Sequence, residues 1–254
     1  MNLFRLAQIA CCAGALLSAT AAHAADYEAW LAPPNALRWQ SDNPWKVNLA
    51  IGFGVAPTYA YSRNVERTVL PLIDVEWRER VFASTQRGIG YNWIRTGSTV
   101  LGPRLTYDFG RKASQDDALG TADDVGAAVE LGMFWIHYSG SWRFNADFKY
   151  AASGHSGVHG AIGVANGGML SANTSLFAGV EVHYASKQYN FAYFEDGEHA
   201  INDVTPYLIM VRNLSDGMYL TLDGRVALIT GAAGTSNLTG STSYSAGATF
   251  GKRF

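Results

Sequence analysis

The sequence predicts an all-β chain: an antiparallel transmembrane β-barrel of about 10 to 12 strands, with 12 preferred. Three observations predict it. The chain opens with an export leader, its side chains alternate between apolar and polar over stretches long enough to cross a bilayer, and its final strand stops on an aromatic residue.

Taking the elements in order, Met1 to Arg5 is a short basic region, Leu6 to Ala22 carries no charge, and Ala22-His23-Ala24 has the A-x-A form of a cleavage site. Residues 1–24 therefore read as a secretory signal peptide, with the mature chain starting near Ala25. Cys11 and Cys12 both fall in the leader, so the mature chain has no thiol for a disulfide, a zinc-thiolate site or a nucleophile. Residues 25–44, with Pro33-Pro34, Trp30 and Trp39, form an N-terminal segment expected either in the periplasm or plugging the lumen. Residues 45–254 show no helical periodicity and no break in composition, which predicts one barrel domain.

Strand alternation is clearest in two places. In the first strand Trp45, Val47, Leu49, Ile51, Phe53 and Val55 share one face. Between Trp142 and Tyr150, Trp142, Phe144, Ala146, Phe148 and Tyr150 oppose Arg143, Asn145, Asp147 and Lys149. Weaker alternation runs through Thr68 to Trp77, Val81 to Trp93, Thr99 to Phe109, Val125 to His137 and Val158 to Ala165. It continues through Leu176 to Tyr184, Tyr189 to Phe194, Thr205 to Arg212, Met218 to Thr230 and Ser243 to Phe254, making 12 expected strands. Thr96-Gly97-Ser98, Ser139-Gly140-Ser141, Asn166-Gly167-Gly168 and Asp216-Gly217 read as turns between them.

A soluble sandwich and a membrane barrel both alternate, but bilayer-crossing strands need about 9 to 11 residues, and several segments reach that length. The less apolar face is heavy in small residues, including Gly52, Gly54, Gly132, Gly179 and Gly247, which suits a narrow lumen better than an open surface. Trp45, Trp77, Trp93, Trp135, Trp142, Tyr150 and Tyr184 lie near strand ends, as interfacial girdles require. The last strand alternates from Tyr244 to Phe254 and resembles the signal that barrels present to the outer-membrane assembly machinery. With 12 strands both ends face the periplasm, and Pro57 to Arg67, Asp196 to Val204 and Gly231 to Thr242 face outward. The same register puts the long Lys112 to Asp124 connection on the periplasmic side.

Charge narrows the partners. Without the leader's Arg5 the chain has 18 basic against 21 acidic side chains, so no basic excess exists for nucleic acid. Inward charges of both signs, among them Asp74, Glu76, Arg104, Asp147, Glu181 and Asp223, are expected to pair and close the lumen. Three clusters invite chemistry. Ser153 to Gly160, "SGHSGVHG", lacks G-x-S-x-G spacing and a following helix, so no nucleophile elbow is expected. Its His155 and His159 would stand about 13 Å apart along one strand, too far for one ion. His137-Tyr138-Ser139 is a second Ser/His pair, and Asp116-Asp117 with Asp123-Asp124 lack the spacing of a calcium loop and read as a solvated connection. The expectation is no catalytic, cofactor or metal residue.

Several segments, in order, resemble the MipA/OmpV family of outer-membrane proteins. They are Gly52 to Tyr59, Leu70-Pro71 to Val75, Gly88 to Tyr91, Gly102-Pro103 to Tyr107 with Gly110-Arg111, Glu130 to Phe134, Gly154-His155-Ser156-Gly157, and Phe250 to Phe254. The resemblance spans about Lys46 to Phe254. It departs at Leu228 to Leu238, "LITGAAGTSNL", which lacks the Ser-Pro found before the last strand in many members. The resemblance implies a non-enzymatic scaffold in the outer membrane, with a murein lytic transglycosylase and a penicillin-binding protein as partners. The competing readings are a small-solute channel and a barrel esterase.

Overall fold

The computed structural model describes residues 43–120 and 122–254. The expected leader, 1–24, and the expected N-terminal segment up to residue 42 lie outside them. The strands are β1 (Trp45–Pro57), β2 (Val65–Trp77), β3 (Val81–Ser84), β4 (Gly88–Tyr91), β5 (Ile94–Arg95), β6 (Thr99–Asp108) and β7 (Ala128–Ser139). They continue with β8 (Trp142–Ala151), β9 (Val158–Ser171), β10 (Thr174–Ala185), β11 (Ala200–Asn213), β12 (Met218–Ile229) and β13 (Thr242–Arg253). Two helices, α1 (Lys187–Phe194) and α2 (Gly231–Thr235), lie in connections.

Neighbouring strands pair antiparallel, and β1 pairs β13, with Ile51 opposite Phe250, to close the ring. Both β4 and β5 pair β6 and form one stave, so the described residues make a closed barrel of 12 staves. The stave breaks at Asn92-Trp93. There the buried Asn92 side chain donates to the Glu79 carbonyl, and the chain presses so closely on Gly102 that a Cβ would lie 1.8 Å from the Tyr91 carbonyl oxygen.

The expected count of 12 is met by two offsetting differences. Val81 to Trp93 is not one strand but the β3–β4 hairpin, turning at 85–87. Tyr189 to Phe194 is not a strand but part of α1. Its Tyr189, Phe191 and Tyr193 mimic period two, yet the buried residues are Tyr189, Asn190, Tyr193 and Phe194, the spacing of a helical face, and Phe191 is exposed. A third difference lies at Asn166-Gly167-Gly168, which falls inside β9 rather than at a turn. Gly167 is needed because the Phe177 ring lies across it, 2.2 Å from where a Cβ would stand.

Sidedness is as the alternation predicts. Leu49, Ile51, Phe53, Leu105, Leu131, Ile162 and Phe250 are exposed on the outside of the ring, while their sequence neighbours Gly52, Arg104, Glu130 and Gly132 are buried inside. In water such an apolar band would be unstable, and against lipid chains it loses nothing. No described helix is long and apolar enough to cross a membrane. Trp45, Trp77, Trp93 and Trp142 are exposed at one end of the barrel, and Tyr107, Tyr150, Tyr184 and Tyr244 at the other. These are the two girdles.

The ends differ in their connections. Trp45 and Phe254 share one end with the short turns at 78–80, 96–98, 140–141, 172–173 and 214–217. That end is periplasmic by the usual rule. The connections at 58–64, 85–87, 109–127, 152–157, 186–199 and 230–241 lie at the outer end. The Lys112 to Asp124 connection therefore lies outside, not in the periplasm as expected. Splitting Val81 to Trp93 into two staves moves each later connection across the membrane, and the helix at 187–194 restores the parity. For the same reason "SGHSGVHG" joins the seventh and eighth staves rather than the sixth and seventh.

Candidate functional site

Four outer connections fold over the barrel mouth and share a core. Ala60, Val125, Tyr189, Tyr193, Phe194 and Ala233 come from the 58–64 connection, the 109–127 connection, α1 and α2, and pack as one buried cluster. A second knot joins Tyr59, Leu119 and Ala122. Asp116 ties these connections together by accepting from Asn64 Nδ2 at 2.8 Å, the Ala118 amide at 2.9 Å and the Thr58 and Ser62 hydroxyls. Burial works to raise the Asp116 pKa, but the donors around it outweigh that and hold its carboxyl below the ordinary carboxylate range. The acidic stretch is solvated at Asp117, Asp123 and Asp124, which are exposed, but Asp116 departs from that expectation because it is buried; Asp124 also accepts from the Ala113 amide at 2.7 Å. Arg111, fully buried, donates to the Tyr193 carbonyl at 2.8 Å and the Asp123 carbonyl at 3.0 Å.

Beneath this lid lies a cluster of titratable groups centred on Glu130 of β7. His159 Nε2 stands 2.6 Å and His155 Nε2 3.1 Å from the same oxygen, Glu130 Oε1. The Thr106 hydroxyl donates to Oε2 at 2.8 Å. Asp108, at the end of β6, approaches His155 Nε2 to 3.6 Å, accepts from Tyr193 Oη at 2.7 Å and from the Gly110 amide at 2.8 Å. Burial, reinforced by Tyr189 and Asp108, pushes the Tyr193 phenol far above its ordinary pKa and keeps it a donor. Tyr189 of α1 stacks on His159 with centroids 4.7 Å apart and meets His155 edge-on at 4.8 Å.

The separation of about 13 Å expected between His155 and His159 is therefore wrong: their ring centroids are 5.6 Å apart. His155 does not belong to the strand. Positive φ at Gly154 (65°) and Ser156 (46°) folds the connection back, so that the His155 ring drops beside His159 at the start of β9. A Cβ on Gly154 would meet the Gly126 carbonyl oxygen at 2.4 Å. Gly157 does not take positive φ. It is small because the Tyr189 backbone nitrogen would lie 2.6 Å from its Cβ.

The serine pairs do not assemble. Ser156 is exposed and its hydroxyl faces the Ala152 carbonyl, while His137 Nδ1 meets the Thr99 hydroxyl at 2.9 Å and its ring stacks on Trp135. A grouping absent from the sequence reading lies one strand along. His183 Nδ1 meets Asp203 Oδ1 at 2.8 Å, the Thr205 hydroxyl also donates to Asp203, and His183 and His159 line a common cavity of about 40 Å³. Only the antiparallel register, which places His159 opposite Ala185 and His183 opposite Ala161, carries this signal.

Lower in the bore, opposite charges pair as expected. Arg87 forks onto Asp74 at 2.8 and 2.9 Å, Arg95 reaches Glu76 at 3.5 Å, Arg104 and Lys149 share Asp147, and Arg225 reaches Glu181 at 3.5 Å. Asp223 departs from the expectation, since neither carboxylate oxygen has a hydrogen-bond partner among the described residues. At the periplasmic end a recess of about 500 Å³ opens between the 140–141 turn, Met169, Phe177, Leu214, Met218 and Arg253.

Comparison with curated proteins finds no match. Among solved structures, the chain is similar to an outer membrane channel from Pseudomonas putida F1 at 10% identity and a TM-score of 0.48, over 88% of this chain and 100% of that one. It is similar to OmpT of Vibrio cholerae at 8% identity and 0.42, over 85% and 100%, and to the CymD monoaromatic hydrocarbon channel at 10% and 0.42, over 92% and 94%. Likenesses at this level carry no argument about function. The profile described as MltA-interacting protein MipA, by contrast, matches residues 49–254, nearly the whole barrel. The chain belongs to the MipA family, as an outer-membrane β-barrel.

Proposed function

We propose that this barrel is a non-enzymatic scaffold that holds murein-remodelling enzymes at the periplasmic face of the outer membrane, a lytic transglycosylase and a penicillin-binding protein being the partners. The observation that carries the reading is the family match, whose description is that of a protein interacting with MltA. Supporting it, the outer mouth is covered by connections with a core of their own, and paired charges fill the bore beneath. Neither feature suits a solute path. The recess facing the periplasm is an accessible surface for a partner.

Capture by the purified barrel of a periplasmic lytic transglycosylase, lost when the 214–217 turn is replaced by a bare Asn-Gly, is the expected result. Recovery of neither enzyme class would count against the scaffold. A small-solute channel is the second reading, favoured by buried polar atoms in the bore whose protein partners are missing among the described residues: Asp223 Oδ1 and Oδ2, Thr249 Oγ1 and Ser243 Oγ. Such groups require water. Stable open-state currents in planar bilayers would decide for the channel.

A further inference from the structure

We propose that Glu130, His155 and His159, with Asp108 beside them, form a binding site for one divalent transition-metal ion of the zinc type, buried under the outer lid. The three first-named residues each offer a donor atom, and these atoms all lie within 4.8 Å of one another. Ligands about 2 Å from a common zinc ion stand roughly 3 to 4 Å apart, so side-chain adjustments below an ångström bring them into range. Asp108 Oδ2 stands 3.6 Å from His155 Nε2, outside that group but next to it.

The donor set selects the ion. Two imidazoles with a carboxylate favour zinc and its later transition-metal neighbours, whereas calcium and magnesium take oxygen ligands. The ligands have the outer supports that metal sites carry: Thr106 holds the second oxygen of Glu130, and Tyr193 and the Gly110 amide hold Asp108 beside His155. The walls are also suitable, because His155 and Glu130 are almost wholly buried and Tyr189 covers both imidazoles.

One contact opposes binding and makes the proposal specific. The Gly157 amide donates to His155 Nδ1 at 3.2 Å, which leaves the proton on Nε2, directed at Glu130. To ligate through Nε2, His155 must give up that proton, carry its hydrogen on Nδ1 and release the Gly157 amide. The proton moves from Nε2 to Nδ1 within a neutral imidazole, so uptake changes the tautomer of His155 and shifts the 152–157 connection without a net loss of protons there. The ion would join the end of β7 to the β8–β9 connection directly under α1, cross-linking the lid to the barrel wall.

The test uses the full chain, purified from outer membranes in detergent without a histidine tag, stripped with chelator and titrated with zinc chloride by calorimetry. One zinc per chain is expected, with a higher midpoint for heat-modifiable migration and no comparable response to magnesium. His159→Gln, at the one partly exposed ligand, should fold and weaken zinc binding about ten-fold or more, as should Glu130→Gln. His199→Gln, a control at an exposed histidine outside the cluster, should leave binding unchanged. No uptake by the parent chain, or equal affinity in the parent and His159→Gln, would overturn the site.

Discussion

The two mouths of the barrel are built on opposite principles. At the outer mouth four connections share two hydrophobic knots, a buried arginine and the Asp116 hub, so the connections have a tertiary structure of their own that is anchored on the strand ends. At the periplasmic mouth the turns span two to four residues, rely on local chemistry such as the positive φ of Asp216 and Gly217, and leave a recess of about 500 Å³ between them. The difference teaches that mouth closure is set by the connections, not by the ring: one mouth can loosen while the other and the staves stay intact.

The largest effect should come from the lid core. Phe194→Ala removes a buried ring from the α1 cluster, at a cost of about 3 to 5 kcal/mol to the closed lid. Trypsin cleavage at Arg63, Lys112 and Lys187 should then rise at least about ten-fold, while cleavage at Arg78 and Arg80 in the short-turn end stays as before. Equal acceleration at both ends would remove the distinction.

Next come two glycines with similar φ and different surroundings. Gly154→Val meets both a left-handed φ of 65° and the Gly126 carbonyl at 2.4 Å, whereas Gly140→Ala, at φ 59°, meets nothing within 4 Å. The periplasmic substitution should cost only the backbone term, about 1 to 2 kcal/mol, and the lid substitution distinctly more. Denaturant midpoints of heat-modifiable migration measure both.

A third, smaller effect depends on pH. The Asp116 carboxyl is held below its unfolded value, so its stabilisation of the lid is fully present above about pH 4 and is lost as pH falls through the folded value. Asp116→Asn should remove about 1 to 3 kcal/mol at neutral pH and flatten the acid dependence of lid proteolysis. The smallest effect belongs to the periplasmic Glu79, held below its ordinary value chiefly by a hydrogen bond from Lys46 and also by Arg95. Its side chain is about half exposed, so Glu79→Gln should cost no more than about 0.5 kcal/mol and vanish in high salt.

How far these features could be read beforehand depended on their range. Leu49, Ile51 and Phe53 announce a lipid face without reference to any partner, because a strand alternates whatever it pairs with. Tyr189 to Phe194 looks like a strand in the sequence because three aromatics two apart satisfy period two in six residues, and only the buried set distinguishes the helix. The break at Asn92 was hidden because its cause, the Gly102 backbone pressing on Tyr91, lies in the next stave. In the strand count it is the turn at 85–87, inside Val81 to Trp93, that offsets the helix at 187–194, and between them these two put Lys112 to Asp124 on the side opposite to the one expected.

Chain alternation, strand length and the resemblance along residues 46–254 were enough to determine the barrel, the membrane and the family, since each is a local or ordered property of the residues. Tertiary structure alone decided what meets beneath the lid. Glu130 lies on one strand, His155 in a connection and His159 on another strand, and they converge because the ring closes and the chain reverses at Gly154 and Ser156. No spacing rule for a strand encodes that reversal, because it depends on a backbone conformation and on the Gly126 and Tyr189 backbones that enclose it.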